Sequence, residues 1–260
     1  MFRLNGPPMP RLLAFLAFTL CLCAAADAMV GGATNVTGSG LGRHVVLIVG
    51  SRGNSCTGVA VAPDLVLTVA HCVLPAAEYR IVEFDAAHHP QLKPVISVAR
   101  HPSFRLETML AHRATADVAL LKLADPLAAP AIPAPLAMRT TFAVGERFTV
   151  AGYGLTVRGD GKTGGTVRAA DLVATGRPGT LQVRLVDPAT GGARPGLGAC
   201  TGDSGAPAFE ESGSVVGLVS WSTGPNGSDG CGGLTGLTPL VIYRDWITST
   251  ARRLGSPLAP

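Results

Sequence analysis

The chain has 260 residues, enough to bury a sizeable core in one or two domains, so a miniprotein that depends on cross-links for its fold is excluded. Hydrophobic residues make up 47% and charged residues 15%, too apolar for an intrinsically disordered chain, and 33 Gly with 20 Pro give many turns without a collagen-like period. The net charge of +4 comes from 21 basic and 17 acidic residues scattered along the chain, with no basic run that tracks a phosphate backbone, which argues against nucleic acid as a partner.

Arg3 and Arg11 precede an apolar stretch from position 12 to 26, and Ala26-Asp27-Ala28 has the small-x-small form that a signal peptidase accepts. Residues 1–28 read as a signal peptide cut before Met29, and the mature chain 29–260 as a secreted, extracellular or periplasmic protein. The stretch is shorter than the ~20 residues that cross a bilayer, and no later segment is both long and uniformly apolar, so no membrane span is expected after cleavage. Cys21 and Cys23 lack the small-residue context of a lipoprotein signal and leave with the leader.

Short β-rich runs broken by turn residues occupy 44–49, 57–62, 65–69, 95–99 and 118–123. Then Pro126, Pro130, Pro133 and Pro135, set among small residues, can neither continue a helix nor sit in a central strand. Residues 124–140 therefore read as an extended linker between a first β unit, 29–123, and a second, 141–239, whose runs are 148–151, 166–173, 181–186, 207–209 and 215–221. The segments 159–165 and 222–233 are Gly-rich surface loops. Residues 240–254 depart from alternation: Ile242, Trp246 and Ile247 share one side of a helical projection, Arg252 and Arg253 fall in the last turn, and Gly255 stops it. One terminal helix docked on the second unit is predicted. Asn35-Val36-Thr37 and Asn226-Gly227-Ser228 match glycosylation acceptors, but turn chemistry explains both.

Cys56, Cys72, Cys200 and Cys231 remain in the mature chain, an even number in an exported protein, and two disulfides follow. Four cysteines permit three pairings and spacing alone does not choose, although 56 with 72 and 200 with 231 close two local loops. A zinc site is discounted because there is no Cys-x-x-Cys pair and His71 is wanted elsewhere, so no metal and no cofactor are expected.

The informative segments are Thr68-Val69-Ala70-His71-Cys72, Ala116-Asp117-Val118-Ala119-Leu120-Leu121 and Cys200-Thr201-Gly202-Asp203-Ser204-Gly205-Ala206-Pro207. A neutral serine hydroxyl is a poor nucleophile, and acyl transfer needs a base to take its proton and a carboxylate to hold that base in one tautomer. His71, Asp117 and Ser204 supply these groups. Gly202 and Gly205 flank Asp203-Ser204 and let the backbone turn tightly, aiming the N–H groups of Gly202 and Ser204 at one point as an oxyanion hole. The other histidines read as bland: His88 and His89 in a polar turn, His44, His101 and His112 on the surface or in strands.

At these residues the chain resembles the chymotrypsin-like (trypsin-fold, peptidase family S1) serine proteases. Met29-Val30-Gly31-Gly32 is similar to the family's mature N-terminus, Tyr153-Gly154 to its Trp-Gly turn, and Ser220-Trp221-Ser222 to the segment that pairs with substrate backbone. The resemblance implies an all-β fold of two packed six-stranded antiparallel β-barrels with a C-terminal α-helix, and the catalytic residues in the cleft between the barrels. It implies peptide-bond hydrolysis through an acyl-enzyme by a monomer acting on protein or peptide substrates, and the two local disulfides. In the resembled family the new α-ammonium folds inward onto the aspartate before the nucleophile, which here pairs Met29 with Asp203. Ala28 precedes Met29 where an activating protease wants Lys or Arg, so signal-peptide removal itself is expected to mature the enzyme. The scarcity of lysine (Lys93, Lys122 and Lys162 alone), with abundant Ala, Gly and Pro, suggests a bacterial source.

Gly198, with Ala199 beside it, takes the base of the primary pocket, where no acid sits, and a neutral or apolar P1 side chain is expected. Gly236 is expected to keep one pocket wall open and Ser222, in place of a glycine common in relatives, to narrow the entrance. Asp229 is the acid that would reverse this preference if it entered the pocket. The stretch from 181 to 200 is shorter than in animal relatives and lacks their extra disulfide. Two rival readings fit the residues less well. An α/β-hydrolase fails because its nucleophile elbow needs Gly where Ala206 stands and its histidine comes last. A non-catalytic binder on the same fold usually loses a triad residue, whereas His71, Asp117, Ser204 and Gly202 are all present.

Overall fold

The computed structural model describes residues 29–259, apart from 39, 75, 86, 88 and 177–180. The signal peptide expected at 1–28, and His88 of the polar turn, lie outside the described residues.

After β1 (Thr34–Asn35), the strands β2 (Val45–Gly50), β3 (Ser55–Ala62), β4 (Leu65–Thr68), β5 (Tyr79–Phe84), β6 (Pro90–Arg100) and β7 (Ala119–Leu123) form one antiparallel barrel, closed in the order β2-β3-β4-β7-β6-β5. A short helix, α1 (Leu106–Leu110), lies in the β6–β7 connection. The strands β8 (Arg147–Gly152), β9 (Arg168–Ala174), β10 (Val183–Val186), β11 (Pro207–Phe209), β12 (Val215–Ser222) and β13 (Thr235–Pro239) form the second, closed because β8 pairs with both β9 and β11, with β1 appended to β9. The fold is two six-stranded antiparallel barrels with a C-terminal helix, α2 (Arg244–Arg253). Alternation is clearest in β6, where residues 93–99 switch between half-buried and exposed as a strand with one inward face requires.

Between the barrels the proline-rich segment runs extended and is pinned by backbone bonds. Leu127 N–H donates to Pro63 (2.7 Å), Ala134 N–H to Ala60 (2.8 Å) and Ala137 N–H to Val215 (3.0 Å). The strands that the sequence pattern missed are the two-residue β1 and the longer β5 and β13. In β13, Gly236 and Pro239 read as loop residues, yet the strand is fully buried between β10 and β12, and packing overrides weak propensity.

The terminal helix corrects a prediction. It packs on the first barrel, not the second: Ile247 and Ala251 are fully buried in one cluster with Val118, Leu120 and Leu121, and Trp246 and Tyr243 lie on the ring of His101 at 4.9 and 5.2 Å. The segment after it is tied to the same barrel by Ser256, whose hydroxyl donates to Asp64 (2.5 Å) and accepts from Lys122 (2.6 Å), while Lys122 also pairs with Asp64. Ile242 does not join the apolar stripe. It sits in a 3-10 turn, Val241–Tyr243, that precedes the helix and leaves it exposed. Gly255 ends the helix in a left-handed conformation (φ +75°), as its sequence position requires.

Candidate active site

Both expected disulfides form, Cys56–Cys72 within the first barrel and Cys200–Cys231 within the second. The first clips the turn Ala70–Val73, which leaves β4 and carries His71. β4 pairs with β7, Thr68 opposite Ala119, so Asp117, two residues before β7, comes beside His71.

Asp117 is fully buried and accepts three hydrogen bonds: from the His71 backbone N–H (3.0 Å), from His71 Nδ1 (2.8 Å) and from the Ser220 hydroxyl (2.6 Å). An ionised carboxylate only accepts, so the ring proton sits on Nδ1 and the Nε2 lone pair faces away, free to take a proton. The Ser220 backbone is expected to pair with substrate, and its side chain holds the acid in place. Burial, and after it the negative charge of Asp117, pushes the Tyr243 phenol above its ordinary range.

Ser204 belongs to the second barrel, and the residue that brings it to His71 is Thr57 of β3, which sequence reasoning missed because a lone strand threonine gives no signal. The Thr57 N–H donates to the Ser204 carbonyl (2.8 Å), its hydroxyl donates to the Gly202 carbonyl (2.8 Å) and accepts from the Tyr153 N–H (3.0 Å), and its carbonyl accepts from the Thr68 hydroxyl (2.8 Å). One buried residue thus sews the nucleophile loop to the barrel that holds the base. Cys72 Sγ lies 3.7 Å from the Ser204 carbonyl oxygen. Among the described residues the Ser204 hydroxyl makes no hydrogen bond; nucleophile–base bonds of this kind often tighten only with substrate in place.

The loop around Ser204 depends on two left-handed glycines. Gly202 has φ +95° and Gly205 φ +85°, where a Cβ would overlap the Thr57 carbonyl and the Thr68 hydroxyl. Among the described residues neither the Gly202 nor the Ser204 backbone N–H donates a hydrogen bond, so two donors stand unused beside the serine. Losing one such donor typically costs on the order of 3 kcal/mol of transition-state stabilisation.

Asp203 is fully buried and accepts from the Gly154 N–H (2.9 Å) and the Cys200 N–H (2.9 Å), which accounts for the Tyr153-Gly154 turn. No cation pairs with it among the described residues. Burial pushes its carboxyl up to about 7, against the pull of the two N–H bonds. Met29 is also fully buried, packed in one cluster with Ala199 and Ala206 on either side of Asp203, and Val30 forms an antiparallel bridge with Gly198.

At the expected pocket, Gly198 and Ala199 are buried, Ala199 N–H donates to Thr235 Oγ1 (3.0 Å), and a Cβ at 198 would lie 3.0 Å from the Cα of Gly232. Ser222 is half-buried opposite Thr235, and Asp229 is exposed. Gly236 faces Trp221, whose indole carbons occupy the space where a Cβ would stand. Trp221 in turn is covered by His112, whose ring stacks on it at 4.5 Å. Among the described residues no group of three His, Cys, Asp or Glu could hold a metal ion, and no helix is long and apolar enough to cross a membrane.

Comparison with known proteins places this geometry. A sequence profile described as Trypsin matches residues 29–247. "Snake venom serine protease rhinocerase 4" of Bitis rhinoceros is 27% identical over 214 residues, covering 80% of this chain and 82% of that one. Human "Kallikrein-8" is 28% identical over 204 residues, covering 74% and 75%. Among solved structures, "Human heparin binding protein" superimposes with a TM-score of 0.68 at 22% identity over 89% of this chain and all of that one, a likeness of fold. These relatives are animal proteins, and they lend no support to the bacterial source that composition suggested. With the profile spanning residues 29–247 of 260 and the fold agreeing, the chain belongs to the Trypsin family of serine endopeptidases.

Proposed function

We propose that the chain is a secreted, monomeric endopeptidase that hydrolyses peptide bonds through Ser204, His71 and Asp117. The observation that carries the reading is the histidine fixed twice by one buried carboxylate, through its backbone and its ring, next to a serine whose loop offers two unused N–H donors. His71 Nε2 takes the Ser204 proton as Oγ attacks the scissile carbonyl, and Asp117 stabilises the imidazolium that forms. The N–H groups of Gly202 and Ser204 hold the oxyanion. His71 then returns the proton to the leaving amine, and a water repeats the sequence on the acyl-enzyme.

Maturation belongs to the same reading. Removal of residues 1–28 gives Met29, which shares a buried cluster with Ala199 and Ala206, an α-ammonium to pair with the buried Asp203, which as an isolated charge costs several kcal/mol. The bond after Ala28 is the signal peptidase site, so export and activation coincide. P1 is neutral or apolar, supported by the absence of an acid at Gly198 and Ala199 and by the tight approach of Gly232, with Ser222 at the entrance. The test is kinetic: Ser204→Ala removes turnover of a peptide substrate and leaves circular dichroism and melting unchanged, and comparable peptidase activity in the variant would refute the assignment. A peptide library profiles P1, and dominant cleavage after Lys or Arg would contradict the neutral pocket.

A further inference from the structure

Trp221 follows Ser220 on β12, and the Ser220 hydroxyl donates to Asp117, so the strand that carries the indole passes the His71–Asp117 pair while the indole itself turns to the other face. An exposed indole there is a flat apolar shelf for a substrate side chain. In this protein the shelf is closed on both faces. One face rests on Gly236, where a Cβ would overlap the indole carbons. With that face filled by backbone, the imidazole of His112, stacked at 4.5 Å and 15°, covers the other. Gln182, its amide oriented to satisfy both partners, accepts from Trp221 Nε1 (2.8 Å) and donates to the His112 carbonyl (3.3 Å), holding the cover in place. His112 itself adopts a left-handed backbone (φ +52°), which turns the chain over the indole. Trp221 retains only 7% of its surface.

The groups left facing solvent over the shelf are polar and donor-rich. His112 and Arg184 are both exposed, and the Arg184 guanidinium lies 5.8 Å from the indole centroid. Arg113 follows directly in the chain and is exposed too. The acid on this side of the cleft, Asp117, is buried and already bonded to His71 and Ser220. We propose that His112, with Arg184, sets the side-chain preference of the groove beyond P1: it shuts the aromatic shelf to large apolar residues and favours substrates with Asp or Glu at one of P2 to P4. The favoured substrates are thus peptides with a neutral residue at the cleaved bond and an acidic residue shortly before it. This rests on the reading that Ser204 is the nucleophile of this cleft.

The test is a peptide library with one fixed P1 residue and randomised P2, P3 and P4, cleaved by the mature enzyme, by His112→Ala and by Arg184→Ala. The wild type is expected to favour Asp or Glu over Phe or Leu by about tenfold at one position, within the range that pocket contacts discriminate. His112→Ala is expected to gain Phe, Tyr and Leu there by about tenfold, and Arg184→Ala to lose the acidic preference without that gain. His112→Gly, which suits the left-handed backbone, serves if the alanine variant misfolds. A wild-type profile that favours aromatic residues, a flat profile, or an unchanged profile in the His112 variants overturns the inference. Failure of a fluorophosphonate to label Ser204 in the wild type strikes the underlying reading instead, so the two failures are distinguishable.

Discussion

The proposed pairing of Met29 with the buried Asp203 offers a perturbation whose size follows from the structure. Consider the chain beginning at Met29 beside the same chain retaining Ala28 and a few residues before it. In the extended form no cation among the described residues pairs with Asp203, and its carboxyl is raised from an ordinary 3.8 to about 7 by burial. The folded state then holds a proton that the unfolded chain has released, so unfolding free energy falls as pH rises from about 4 and levels off above about 7. At ~1.36 kcal/mol per pH unit the fall amounts to about 4 kcal/mol. On the proposed maturation the Met29 ammonium holds Asp203 ionised in the form that begins at Met29, and this fall is expected to disappear. Urea unfolding of both forms between pH 4 and 8.5 reads the difference directly, small at the acid end and on the order of 4 kcal/mol at the alkaline end. Superimposable pH profiles would refute the pairing and with it the account of maturation.

Further outcomes follow from the same contacts. Secreted protein subjected to N-terminal sequencing should begin at Met29, and any other residue there defeats activation by signal-peptide removal. Asp117→Asn leaves the fold intact but lets the amide donate to His71 Nδ1, which inverts the tautomer; kcat should drop on the order of 10⁴-fold in steady-state assays with KM little changed. Gly205→Ala forces a Cβ into the Thr57 carbonyl and breaks its bond with Thr68, so thermal unfolding should show a loss on the order of 3 kcal/mol. Removing the Cys200–Cys231 bridge, which closes a separation of 31 residues, should cost about 3–4 kcal/mol in denaturant titrations.

Much of this architecture was legible in the chain because its signals are local. The strands of the first barrel announce themselves through runs such as 65–69, and His71, Asp117 and Ser204 through neighbours in fixed order. The two disulfides were one of three pairings by arithmetic and became a single choice through the resemblance. What escaped depends on contacts distant in sequence. The helix Arg244–Arg253 shows an apolar stripe, but nothing in the stripe says that β7 and His101, rather than the adjacent second barrel, receive it. Thr57 and the hydroxyl of Ser220 act across the seam between barrels, 145 and 103 residues from their partners Gly202 and Asp117, where pattern has no reach. Gly236 was legible as a residue needing space, but its approach to the Trp221 indole was not. His112 looked like any surface histidine until folding laid it on Trp221.

The most direct measurement is covalent labelling of the mature chain with a serine-directed fluorophosphonate, followed by mass spectrometry of the modified peptide. A nucleophile activated by His71 takes up one equivalent at Ser204, and His71→Ala slows that uptake by several orders of magnitude while the variant stays folded. An unlabelled Ser204 in correctly processed protein, or equal labelling with and without the His71 imidazole, would contradict the account.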